Sequence, residues 1–242
     1  MLLRCLKAEI QKFHRSPVWL VFLILPIFPA ILGTGNYLGN LEALENGWYS
    51  LWSQHTLFSS MFFLPALLGV FCAWQWRLEH TDHNWNSFLT APVLIRDLYG
   101  AKLILAVAAS LLAQVCIGIL FVLSGKIAGI PGSVPPELPW WLLCATLGSI
   151  SVCAVQLFLS LTIRAFAPPV AIGLAGGIIG LLFTAQGWGY AFPYSLLSLG
   201  MRANNPQMKL ELIPFALSAL GYIIIFSIFS YSYLCKRDVA AE

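Results

Sequence analysis

The chain has 242 residues, 59% of them hydrophobic and only 10% charged, with a formal net charge of +3. A soluble domain averages about 25% charged residues, so this composition excludes an ordinary soluble enzyme or binding module and points to a membrane protein. The positive excess is too small and too scattered to suggest a nucleic-acid partner.

Residues 2–15 read as an amphipathic helix. Leu2, Leu3, Leu6, Ile10 and Phe13 share one arc at 100° per residue, with Arg4, Lys7, Gln11 and Arg15 roughly opposite. Such a helix lies in the membrane interface and turns a basic face to anionic lipid or a partner. Arg4, Lys7, Lys12 and Arg15 are its basic residues. The plainer alternative is a positive flank that fixes orientation. No small-residue cleavage pattern follows the first apolar run, so no removable signal is expected.

Six apolar spans follow, at residues 18–34, 57–76, 103–123, 140–163, 170–186 and 212–234. At about 1.5 Å per residue each is close to the length needed to cross a ~30 Å hydrocarbon layer. Pro26 and Pro29 interrupt the first. The fifth carries Gly173, Gly176, Gly177 and Gly180, whose small-xxx-small spacing lets another helix approach closely. That helix could belong to a second subunit or to the same chain. Between the last two spans, Pro193 is placed to start a short helix through Met201 that rests on the membrane surface or dips into it.

With the N-terminus in the cytoplasm, the interior holds Arg4, Lys7, Lys12, Arg15, Arg77, Arg96, Lys102, Arg164, Lys236 and Arg237, and the exterior only Lys126, Arg202 and Lys209. This positive-inside bias places both termini in the cytoplasm. Trp19, Trp74 and Trp76 fall at inner ends, and Trp48, Trp52, Trp140, Trp141 and Trp188 at or near outer ends, as expected of aromatic belts.

The longest interior polar stretch runs from Arg77 to Lys102. Its middle reads as a short surface helix. Thr81 or Asp82 is a suitable N-cap, and Trp85, Phe88 and Leu89 share one face at i, i+3 and i+4. Pro92 ends it, and Arg96, Asp97 and Lys102 lead into the next span. An aromatic–aliphatic knob inside a charged rim suits a partner's socket.

No acidic or basic residue lies within the six apolar runs. Ion-coupled transporters usually need ionisable or unwound sites near the midplane, and intramembrane hydrolases need a base, nucleophile or metal there. The chain also lacks G-x-x-x-x-G-K-[ST]. Glu79, His80, Asp82 and His83 could be imagined as metal ligands, but such groups on a charged loop are usually solvated. Asp82, His83 and Ser87 are triad residue types without triad geometry. Cys5, Cys72, Cys116, Cys144, Cys153 and Cys235 show no C-x-x-C spacing and fall in spans or interior segments, so they read as small apolar side chains. What remains is a conduit or scaffold whose energy source lies on another chain.

The start AEIQKFHRS (8–16), the six spans, and a loop carrying Glu79, Asn84-Trp85-Asn86, Leu89, Pro92, Arg96 and Lys102 resemble the ABC-2 type permeases. Within these, the chain is similar to the small lantibiotic immunity permeases of the MutE/EpiE/MutG type. The resemblance implies a single all-α polytopic permease domain over 1–242, with an elbow helix, six transmembrane helices and a cytoplasmic coupling helix between spans 2 and 3. It implies no catalytic residue, metal or cofactor on this chain, with ATP and Mg held by two copies of a separate ATPase. Glu79, Asp82, Trp85, Asn86, Phe88, Leu89 and Arg96 would dock that ATPase. A second, related permease chain would complete a complex in a bacterial plasma membrane that expels an amphipathic antimicrobial peptide. The alternatives are an ABC-2 permease for another drug or lipid, or a non-transport membrane scaffold or signalling protein.

Overall fold

The computed structural model describes residues 1–14, 16–81, 93–203 and 205–237. Among these the chain is all-helical, with no strand. In order the helices are α1 (Leu2–His14), α2 (Val18–Ile24), α3 (Ile27–Gly39), α4 (Trp48–Phe58), α5 (Leu64–His80), α6 (Ile95–Ile127), α7 (Leu138–Thr162), α8 (Ala167–Ala185), α9 (Pro193–Met201) and α10 (Leu212–Arg237). Six helical stretches are long and apolar enough to cross a membrane: Val18–Gly39, Trp48–Arg77, Ile95–Ile127, Leu138–Thr162, Ala167–Ala185 and Leu212–Lys236. Six successive crossings return the chain to the side from which it started. We call that side the termini face and the opposite one the far face.

Span 1 is broken where Pro26 removes an amide from the ladder, and α2 gives way to α3. Span 2 starts nine residues before the apolar run, at Trp48, so part of the expected exterior loop 35–56 is helix. Within it, Ser59–Phe63 form a π turn that closes with Leu64 N–H on the Ser59 carbonyl. Pro65 follows directly, with no amide hydrogen for the Met61 carbonyl. Span 3 also outruns its apolar run, and α6 begins at Ile95 rather than near Leu103. Arg96, Asp97, Lys102 and Lys126 therefore lie within its helix, although the apolar run itself is uncharged.

The centre is α7, the most enclosed of the spans, whereas α10 is the most peripheral. The short helix α9 does dip inward, and all nine of its residues are buried. Glycines make room for it. A Cβ on Gly148 would come within 2.5 Å of the Leu196 carbonyl oxygen, and one on Gly176 within 2.8 Å of the Tyr194 ring. Gly180 faces the backbone at Ser195, while Gly173 and Gly177 face Pro65 and Met61 of span 2. Both glycine faces of α8 are thus occupied within the chain.

The tryptophans expected in an outer belt divide. Trp140 and Trp188 are exposed, but Trp48, Trp52 and Trp141 are core residues. Trp52 has no solvent exposure. Its ring packs edge-on to Phe121 at 4.9 Å and stacks on Trp141 at 5.4 Å. Its Nε1–H donates to the Met201 carbonyl at 2.8 Å, tying α4 to the end of α9. Trp52→Ala should therefore cost about 3–5 kcal/mol, the usual range for deleting a buried aromatic. A clear fall in the unfolding temperature in detergent, with Trp140→Ala nearly unchanged, is the expected result.

Candidate functional site

The termini face holds the site, and its first element is α1. The helix does not lie flat on its whole apolar arc. Leu2, Leu6 and Phe13 turn toward the protein, while Leu3 and Ile10 are exposed. Phe13 packs edge-on to Phe71 and Trp74 at 5.5 and 5.4 Å, and Gly100 lets the Leu2 side chain come close to α6. The buried residues of α1 are Cys5 and Glu9, one turn apart.

Glu9 is buried because two lysines meet it. Lys102 Nζ, with no solvent exposure, donates to Glu9 Oε2 at 3.0 Å, to Glu79 Oε1 at 2.9 Å and to the Gln75 carbonyl at 2.5 Å. It also lies 4.6 Å from the centroid of the Trp76 ring. Lys12 Nζ donates to Glu9 Oε1 at 2.6 Å and to Glu79 Oε1 at 2.8 Å. Two carboxylates and two ammoniums therefore form one compact cluster, formally neutral, joining α1, α5 and α6. Burying a single ion costs several kcal/mol, so such groups are stable inside only when paired and hydrogen-bonded.

The cluster sets its own protonation. Burial alone would raise the Glu79 carboxyl, but the Lys102 and Lys12 ammoniums outweigh it and hold it below the usual range. Burial alone would lower Lys12, but Glu79 and Glu9 outweigh it and raise it. A cavity of about 380 Å³ beside α1, lined by Arg4, Cys5, Glu9, Lys12, Val93 and Leu98 among others, makes the Lys12 edge reachable from the termini face.

Sequence reasoning placed these residues differently. Glu79 was expected on a docking rim, yet it is buried inside the cluster because α5 continues through His80. Lys12, expected among the basic residues of a helix that faces anionic lipid or a partner, pairs with Glu9 and Glu79. Arg4 and Lys7 are exposed as expected. Arg96 is exposed and lies 3.8 Å from its neighbour Asp97. Arg15 and the knob residues Asp82, Trp85, Asn86, Phe88 and Leu89 lie outside the described residues. Glu9 was missed altogether, although an acid one turn from both Cys5 and Lys12 in an otherwise basic helix was the available signal. Among the described residues no group of three His, Cys, Asp or Glu side chains is placed to hold a metal.

The cluster flanks the segment between spans 2 and 3. Glu79 stands just before residue 81, where α5 has ended, and Lys102 two turns into α6. Their contact pins both ends of the intervening chain to each other and to α1.

Lys102→Met should cost about 3–5 kcal/mol, since it leaves buried carboxylates uncompensated. Glu79→Gln combined with Lys102→Met, which keeps the Glu9–Lys12 pair, should cost less than the lysine change alone. Unfolding temperatures of the two variants in detergent check this.

The pH dependence follows from the same groups. Glu79, held low, contributes stability above its unfolded value of about 4.3, which is lost as pH falls through the lower folded value. Lys12, held high, contributes below its unfolded value of about 10.4, which is lost as pH rises through the higher folded value. Glu79→Gln should remove part of the acid-side loss of thermal stability and leave the neutral plateau flat.

A comparison with curated proteins gives no match. The family model described as "ABC-2 family transporter protein" matches residues 5–180, which takes in most of α1, the ion cluster, the first four crossings and most of the fifth. The chain belongs to the ABC-2 transporter family and is a membrane permease of that family.

Proposed function

We propose that the chain is the permease subunit of an ATP-driven ABC exporter that expels a lantibiotic or a similar amphipathic peptide from the membrane for self-protection. The observation that carries this reading is the Glu9–Lys12–Glu79–Lys102 cluster. A partner that pushes on the segment between α5 and α6 pushes on a point rigidly tied to two membrane spans and to the interfacial helix. A separate ATPase, in two copies and carrying ATP and Mg, supplies that push from the cytoplasm, where both termini lie. The basic residues gathered on the termini face support this orientation in a bacterial plasma membrane. A second, related permease chain completes the pathway. A lipid-embedded peptide needs no wide polar pore, in keeping with apolar runs free of charge.

Trp85, Phe88 and Leu89 are the anchors of the ATPase contact in this reading, with Asp82, Asn86 and Arg96 around them. Trp85→Ala with Phe88→Ala should leave membrane insertion intact and weaken ATPase association on the order of thirtyfold or more, as for loss of an aromatic hot spot. Co-purification of the chain from its native membrane in gentle detergent is the test. A P-loop ATPase recovered with the wild-type chain and lost with the double variant is the expected result. Recovery of the chain alone, with ATPases detected elsewhere in the same membrane, overturns the reading.

A further inference from the structure

A second polar feature of the termini face lies apart from the ion cluster. The turn between α7 and α8, residues 163–166, meets the end of α5 and forms a shallow cleft. Arg77, His80 and Arg164 line it, with Ala73, Ile163 and Phe166 as apolar walls. His80 Nε2 donates to the Ser160 carbonyl at 2.8 Å and so fixes one wall to the end of α7. The Arg77 guanidinium carbon lies 5.8 Å from the centroid of the half-exposed Phe166 ring. That contact holds the guanidinium against the cleft rather than free in solvent. Both arginines are exposed. Among the described residues no carboxylate lines the cleft or comes within ion-pair distance of either arginine.

This is the reverse of the ion cluster, where every cation has its acid. Two guanidiniums with no acid partner among the described residues line this cleft, at the ends of α5 and α7. Arginine binds phosphate oxygens through paired N–H donors, and basic pockets between transmembrane helices take anionic headgroups. The N-terminus of α8 adds little, because Pro168 and Pro169 have no amide hydrogens to offer. The side chains therefore carry the recognition. The apolar walls favour a lipid over a free phosphate, since glycerol and the first methylenes of an acyl chain would lie against Phe166 and Ile163.

We propose that this cleft binds the phosphate of an anionic glycerophospholipid, gripped by Arg77 and Arg164. The site is independent of what the permease exports and of what drives it. The experiment uses the full chain in detergent micelles, titrated with phosphatidylglycerol or phosphatidylcholine of the same acyl chains and read by native mass spectrometry. The wild-type chain should retain phosphatidylglycerol about tenfold or more over phosphatidylcholine, the scale expected of two basic side chains at a membrane surface. Arg77→Gln with Arg164→Gln should abolish most of that preference, and Arg77→Lys with Arg164→Lys should keep much of it. Lys126→Gln, at an exposed position in the last turn of α6 on the far face, should leave it unchanged. Equal retention of the two lipids by the wild-type chain overturns the proposal, and needs no variant to fold. So does full displacement of phosphatidylglycerol by millimolar inorganic phosphate, which would mark a free-anion site. Loss of a co-purifying protein in the glutamine variant, with lipid preference intact, would assign the arginines to protein docking instead.

Discussion

A lysine with no access to water keeps its charge only where carboxylates surround it, and Lys102 imposes that condition on two other parts of the chain. Glu79 must come from the end of span 2, Glu9 from the interfacial helix, and Lys12 must balance the second acid. The carbonyl of Gln75 completes the shell. Since removing any one member strands another, α1, α5 and the start of α6 hold together as a unit. The apolar contacts of Phe13 with Phe71 and Trp74 add a second tie between α1 and α5. The low dielectric that makes the cluster costly to break also makes each of its hydrogen bonds stronger.

The two electrostatic features of the termini face work in opposite ways. The cluster is closed and neutral, and it spends its charges internally. The cleft at the α7–α8 turn is small and positive, and its two arginines are exposed. One defines how the chain is built and the other what the surface offers.

Hydropathy made the six crossings legible, because long uncharged runs have few other uses. It failed at their ends. The start of span 2 carries Ser50, Ser53, Gln54, His55 and Thr56, which lower its hydropathy and suggest a loop. In the fold these groups find local partners: Thr56 Oγ1 donates to the Trp52 carbonyl, Ser53 Oγ to the Ser50 carbonyl, and His55 Nε2 meets Thr34 Oγ1. The helix can therefore carry Trp48 and Trp52 into the core instead of leaving them in a belt. The same cause hid the ion cluster. Glu79 and Lys102 look like loop residues only if the helices stop where the apolar runs stop, and Glu9 gains its meaning from Lys102, 93 residues away. Glycine spacing in α8 was visible, but spacing alone does not name a partner. The close approaches to Pro65, Met61, Tyr194 and Ser195 do.

The π turn in span 2 has a geometric result of its own. A π turn adds one residue to a helix, which rotates everything beyond it by roughly 100° about the axis. Span 2 therefore runs in two angular phases. Before the turn, Trp48, Trp52 and His55 address α3, α6 and the end of α9. After it, Pro65 and Gly69 address α8, and Cys72 reaches the Cys153 carbonyl of α7. A single uninterrupted helix would keep one half in register with its neighbours and turn the other half away from them. The extra residue lets one span satisfy two sets of neighbours whose directions do not coincide.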